Sequence, residues 1–117
     1  MNLEEAKAAL VADGWRIYGN GPDSFMEPWY ACKRMPDWRP SDDGTGSVQV
    51  VAKVYDFSSR DAYQSITVVI EAEYRGVQFN ISAEGCKRDL AADVASLPDR
   101  IAMIGRAWHA IGDGVKP

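Results

Sequence analysis

The fold of this chain is decided in residues 47–83, which read SVQVVAKVYDFSSRDAYQSITVVIEAEYRGVQFNISA. Apolar and polar residues alternate there through three successive runs, and Arg75-Gly76 separates the last two. Because successive side chains of a strand point to opposite faces, each run predicts a strand with one buried and one largely solvated face. The short links between the runs favour antiparallel neighbours, so this stretch predicts a meander of strands.

Helices are predicted on both sides of the meander. Asn2 and Glu5 have the spacing of a capping box ahead of an apolar helical stripe, and Asp13-Gly14 ends that helix. Beyond Gly85 the apolar period changes from two to about 3.6, which predicts two helical segments. Gly105 lies in the middle of the second segment, where a glycine favours a close approach of the helix to the sheet.

Two more strands are predicted between the first helix and the meander, at residues 15–18 and 25–34. Pro28 has no N–H to donate, which favours an edge position, a bulge, or a strand that begins only at Trp29. We therefore predict a single α+β domain over residues 1–117. Its antiparallel sheet has about five strands, with the N-terminal helix and the C-terminal helices packed mainly on one face.

The composition restricts the function classes. The 117 residues fit one domain, and a net charge of −4 at pH 7 weighs against a general nucleic-acid binder, so we expect no direct nucleic-acid contact. No apolar run approaches the roughly 18 residues needed to span a bilayer, so we expect no membrane partner. Cys32 and Cys86 lack metal-ligand spacing and are expected to be reduced thiols of a cytoplasmic protein.

The sequence contains no recognisable catalytic or metal-binding motif. His109 is the only histidine, and no nucleophile or carboxylate accompanies it in a catalytic pattern. Asp37 and Asp42-Asp43-Gly44 contain part of a calcium-loop pattern, but residues 38–40 interrupt it. We therefore expect a protein that is not an enzyme and that binds no metal or cofactor.

The longest irregular segment, residues 35–46, contains the candidate partner site. Trp38 lies there between two prolines and next to Arg39, and tryptophan and arginine are the residue types that anchor protein interfaces. The alternative interpretation is that Trp38 folds back as a lid over the core. The predicted partner-binding residues are Asp37, Trp38, Arg39, Asp42 and Asp43.

Residues 4–15, EEAKAALVADGW, open this acidic α+β chain. In this respect the chain resembles small accessory proteins of bacteriophages and mobile elements, of the anti-CRISPR type. The resemblance implies a non-enzymatic inhibitor that occupies a bacterial defence protein by steric occlusion. Its acidic surface would meet a basic surface of that host protein.

Two alternatives accompany this hypothesis. The first is a small-ligand-binding or sequestering domain with a pocket at the aromatic cluster of residues 15–38. The second concerns assembly: the chain is expected to be a monomer, or a homodimer formed by pairing of equivalent sheet edges across a two-fold axis.

Overall fold

The computed structural model describes residues 1–19, 29–42, 48–56, 64–85 and 89–114. In chain order, the elements in these ranges are α1 (Leu3–Ala12), β1 (Arg16–Gly19), β2 (Trp29–Met35), β3 (Val48–Asp56), β4 (Gln64–Tyr74), β5 (Val77–Ala83), α2 (Leu90–Ala95) and α3 (Leu97–Gly114). The predicted α+β fold, an antiparallel sheet of five strands with helices at both ends of the chain, is confirmed.

The strands form one meander with the order β1-β2-β3-β4-β5, and every neighbouring pair is antiparallel. The described part of β2 begins at Trp29, and residues 25–28 of the predicted strand, Pro28 among them, lie outside the described residues. The edge position is excluded, because β2 lies between β1 and β3. β4 and β5 are joined at Arg75-Gly76, where both residues have positive φ, 54° and 80°.

The two faces of the sheet differ as the alternation predicts. Ile70 at the centre of β4 is fully buried, whereas its neighbour Glu71 is exposed. Val69, predicted on the solvated side, is an exception, because it is only 4% exposed. It lies opposite Val51 on β3, so the middle of that face is partly apolar.

The start and end of α1 follow the predicted pattern. The Asn2 side chain accepts a hydrogen bond from the Glu5 N–H at 2.8 Å, and the Glu5 carboxylate accepts one from the Asn2 N–H at 3.1 Å. Both halves of the capping box are therefore formed. Leu10 on the apolar stripe is buried, and Gly14 follows the helix with a φ of 88°.

The core lies between the sheet and the helices, and Trp108 of α3 is at its centre with no exposed surface. The rings of Tyr74 and Phe79 meet its indole edge-on, each with centroids 6.3 Å away. Among the helices that the structure describes, none is long and apolar enough to cross a membrane.

A buried charged pair completes the β4 edge beyond the end of β5. Asp93 of α2 accepts a hydrogen bond from the Ile66 N–H at 3.0 Å, and Arg100 of α3 donates to the Ile66 carbonyl at 2.6 Å. Extending the β4–β5 register places Gly85 opposite Ile66, and a Cβ atom there would overlap the Asp93 carboxylate. Burial lowers the pKa of Arg100, and the charge of Asp93 acts in the opposite direction.

Candidate functional site

We call residues 36–42 the strap, because they run from the end of β2 across to the β4–β5 turn, where Asp42 is hydrogen-bonded. The Asp42 N–H donates to the Glu73 carbonyl at 2.8 Å, and the Asp42 carboxylate accepts from the Gly76 N–H at 3.2 Å. These two bonds hold the far end of the strap on the hairpin. The described part of the predicted irregular segment is thus held against the hairpin by one backbone bond and one side-chain bond of Asp42.

Arg39 joins the strap to the core. Its guanidinium carbon lies 3.9 Å from the ring centroid of Tyr74 and 4.4 Å from that of Trp108. The Arg39 Nη2 donates to the Trp108 carbonyl at 2.6 Å, and the Trp108 Nε1 donates to the Arg39 carbonyl at 2.8 Å. Arg39 is therefore held by two aromatic faces and a reciprocal pair of hydrogen bonds.

Trp38 is half-buried and packs against the core at α3. A Cβ atom on Gly105 would lie 2.6 Å from the Trp38 Cζ2, and the indole meets the His109 ring edge-on at 6.1 Å. Gly105 was predicted to allow a close approach of the helix to the sheet. That prediction was wrong about which group lies close to Gly105: it is the Trp38 indole of the strap and not the sheet. This arrangement is the one that the lid interpretation describes.

The structure thus distributes the predicted partner-binding residues between two environments. Trp38 and Arg39 are half-buried in contacts with α3, whereas Asp37 and Asp42 are exposed. Asp43 lies outside the described residues. Partner contact through the strap stays a prediction, now centred on Asp37 and on the accessible part of the Trp38 indole.

A second candidate surface is the outer face, by which we mean the side of the sheet opposite the helices. Tyr18 of β1 and Tyr30 of β2 are register partners on this face. Their rings are stacked with centroids 5.1 Å apart and planes 11° apart, and the side chains remain 37% and 38% exposed. The stacking of the two tyrosines could not be predicted from the sequence, because it depends on the register between β1 and β2. The length of the link between these strands does not by itself determine that register.

The outer face is also polarised in charge. Arg16 and Arg34 are exposed on β1 and β2, while Glu71 and Glu73 are exposed on β4. Lys53 of β3 lies between them, with its Nζ 3.6 Å from the Glu71 carboxylate. Since this ion pair is exposed, it contributes less than about 1 kcal/mol to stability. The outer face therefore presents charges of both signs, which can orient a charged partner.

Cys32 also belongs to the outer face, where it is register partner of Arg16 and Val51. Its thiol is free but buried, and burial raises its pKa. A thiol that stays protonated is a weak nucleophile and a weak metal ligand. Within the described ranges, no group of three histidine, cysteine or acidic residues is placed to hold a metal ion.

A pocket of about 250 Å³ lies between α1 and the α2–α3 region. It is lined by Ala9, Leu10, Asp13, Trp15, Val94, Ala95, Leu97 and Pro98. Trp15 is its one contribution from the aromatic cluster of residues 15–38 that suggested a ligand site. Its volume is below the roughly 300–1,000 Å³ that small-molecule sites usually occupy.

Comparisons of the chain with protein-family models, with curated proteins and with solved structures found no match.

Proposed function

We propose that this chain is a non-enzymatic binding protein that docks on a protein partner through the outer face. The observation that carries the proposal is the stacked, exposed pair of Tyr18 and Tyr30, on a face that the described helices leave open. A tyrosine offers a large contact area and has only two side-chain torsions to fix. The stacking already restricts both rings, so binding costs less conformational entropy.

The proposed partner is a host bacterial protein with a basic surface. Glu71 and Glu73 supply carboxylates on the outer face, and the whole chain has a net charge of −4. Together with the resemblance to phage accessory proteins, these charges favour an anti-CRISPR-like inhibitor of a defence protein, acting in the cytoplasm by steric occlusion. The strap, through Asp37 and Trp38, is the second proposed contact.

Three matched charge reversals separate the two surfaces. Glu73→Lys changes the outer face, Asp37→Lys changes the strap, and Glu4→Lys makes the same change at an exposed position of α1. Each variant and the unchanged chain serve as bait in a bacterial lysate. A protein that the unchanged chain captures is then purified, and its affinity for all four baits is measured by calorimetry.

If the captured protein binds the outer face, Glu73→Lys weakens the affinity for that protein and Glu4→Lys leaves it unchanged. Tyr30→Ala weakens it by about tenfold or more, since truncating an anchoring aromatic costs over about 1 kcal/mol. Inhibition of the partner's activity should reach completion at one copy of the chain per binding site. Loss of affinity in Asp37→Lys alone would move the interface to the strap. Equal affinity of every variant would contradict both surfaces.

The alternative, a small-ligand-binding domain, rests on the pocket beside Trp15. Val94→Trp would fill that pocket from its α2 side. If the chain binds a small ligand in this pocket, Val94→Trp abolishes binding of that ligand. If the chain binds a protein through the outer face, Val94→Trp leaves the affinity for that protein unchanged.

A further inference from the structure

β5 is a sheet edge without the features that usually protect one. Among the described residues, it pairs with β4 on one side only. Its seven residues, Val77–Ala83, contain no charged residue, no proline and no glycine. Natural edge strands commonly carry a lysine or a proline, or are very short, because unpaired N–H and C=O groups recruit other strands. The opposite edge, β1, is four residues long and includes Arg16.

The turn before β5 determines which of its backbone groups are free of the β4 ladder. Arg75-Gly76 has positive φ at both residues, so it forms a two-residue turn closed by the hydrogen-bonded pair of Tyr74 and Val77. Hydrogen-bonded and non-bonded pairs alternate along an antiparallel ladder. The backbone groups that point away from β4 are therefore those of Gln78, Asn80 and Ser82.

We propose that β5 pairs antiparallel with β5 of a second copy of this chain, with Asn80 on the two-fold axis. This register overlaps all seven residues and makes Asn80 a hydrogen-bonded pair with itself. It also pairs Gln78 with Ser82 of the second copy, so every outward-pointing backbone group finds a partner. The two sheets then form one continuous antiparallel sheet.

The side chains of β5 favour a second copy as the occupant. In this register, half-buried Phe79 lies opposite Ile81 of the second copy, and this apolar pair occurs twice. No like charges meet along the paired strands, because β5 has none.

The test introduces a charge on the two-fold axis. Asn80 is exposed and lies opposite Glu71 in the β4–β5 register, so the folded single chain accommodates Asn80→Lys. In the dimer, two lysines would meet directly. Ala8→Lys adds the same charge at an exposed position of α1 and serves as the control. Sedimentation velocity over a range of concentrations gives the mass, and circular dichroism shows that each variant is folded.

For the unchanged chain and for Ala8→Lys, we expect the measured mass to rise with concentration from 12.9 kDa to twice that value. Asn80→Lys should weaken self-association by about tenfold or more. In hydrogen exchange, the Gln78, Asn80 and Ser82 amides should be protected only in concentrated samples, whereas the Phe79 and Ile81 amides are protected in both. A constant mass of one chain would overturn the proposal, and so would a dimer that Asn80→Lys leaves intact.

Discussion

At the scale of single residues, Asp93 and Arg100 make the hydrogen bonds to the Ile66 backbone that a longer β5 would otherwise make. One accepts from its N–H and the other donates to its carbonyl, and both side chains are buried. The Arg100 guanidinium also donates to the Ala83 carbonyl at 3.2 Å. The pair therefore connects the two C-terminal helices to the sheet at a position where the strand ladder has ended.

Removing one member of this pair should be costly. Asp93→Ala leaves the buried Ile66 N–H without its acceptor and removes a negative charge that favours the buried Arg100 guanidinium, so we expect a loss of about 3–5 kcal/mol in the free energy of unfolding. Asp89→Ala, which removes only the exposed cap of α2, should cost about 1 kcal/mol. Urea denaturation of both variants measures the difference. Similar losses in the two would show that the buried pair adds little beyond an ordinary helix cap.

The sequence did not reveal this pair, and the reason is physical. A helical period describes the apolar face of a helix, and it does not identify buried charged residues such as Asp93 and Arg100. The partner groups are main-chain atoms of Ile66, 27 residues from Asp93. By contrast, the capping box of Asn2 and Glu5 was predictable, because both of its bonds span three residues.

At the scale of elements, the strap and α3 fit together through Trp38 and Gly105. Gly105→Ala should gain about 1 kcal/mol of helix propensity, but its methyl group would collide with the Trp38 indole, and overpacking costs about 1–3 kcal/mol. We therefore expect Gly105→Ala to destabilise the protein when Trp38 is present. In a Trp38→Ala background the space is empty, so the same substitution should stabilise the protein by up to about 1 kcal/mol.

A double-mutant cycle measured by denaturant unfolding checks this sign change. Trp38→Ala alone should lower the unfolding free energy, because the indole packs against the core. Additive effects of Gly105→Ala and Trp38→Ala would show that the two positions are not in contact in solution. Unchanged stability of Trp38→Ala, combined with loss of partner affinity, would support the interface-anchor interpretation instead.

The elements themselves were largely predictable, since their signals are periodic or local. Alternation in residues 48–83 indicated β3, β4 and β5, and the change of period beyond Gly85 indicated α2 and α3. The strap has neither signal. Its contacts follow from the tertiary arrangement of β2, the hairpin and α3, so the sequence left both the lid and the anchor open for Trp38.

At the scale of the whole molecule, one core contains all four tryptophans. Trp15, Trp29 and Trp108 are buried, and Trp38 packs against the same core from the strap. We expect thermal unfolding to be a single cooperative transition, with tryptophan fluorescence and far-ultraviolet circular dichroism giving the same midpoint. A fluorescence change that precedes the loss of secondary structure would show that the strap opens separately from the sheet.

The reciprocal hydrogen bonds between Arg39 and Trp108 have a consequence for synthesis on the ribosome. The two residues are 69 positions apart, so the groups that hold the strap are made long after the strap itself. A nascent chain that has completed the meander still lacks α3, and the aromatic surface of Tyr74 and Phe79 is uncovered until Trp108 emerges. Such a chain exposes apolar surface and unpaired strand edges together, which is the state most prone to aggregate. The native fold of this domain is therefore completed only after α3 has been synthesised.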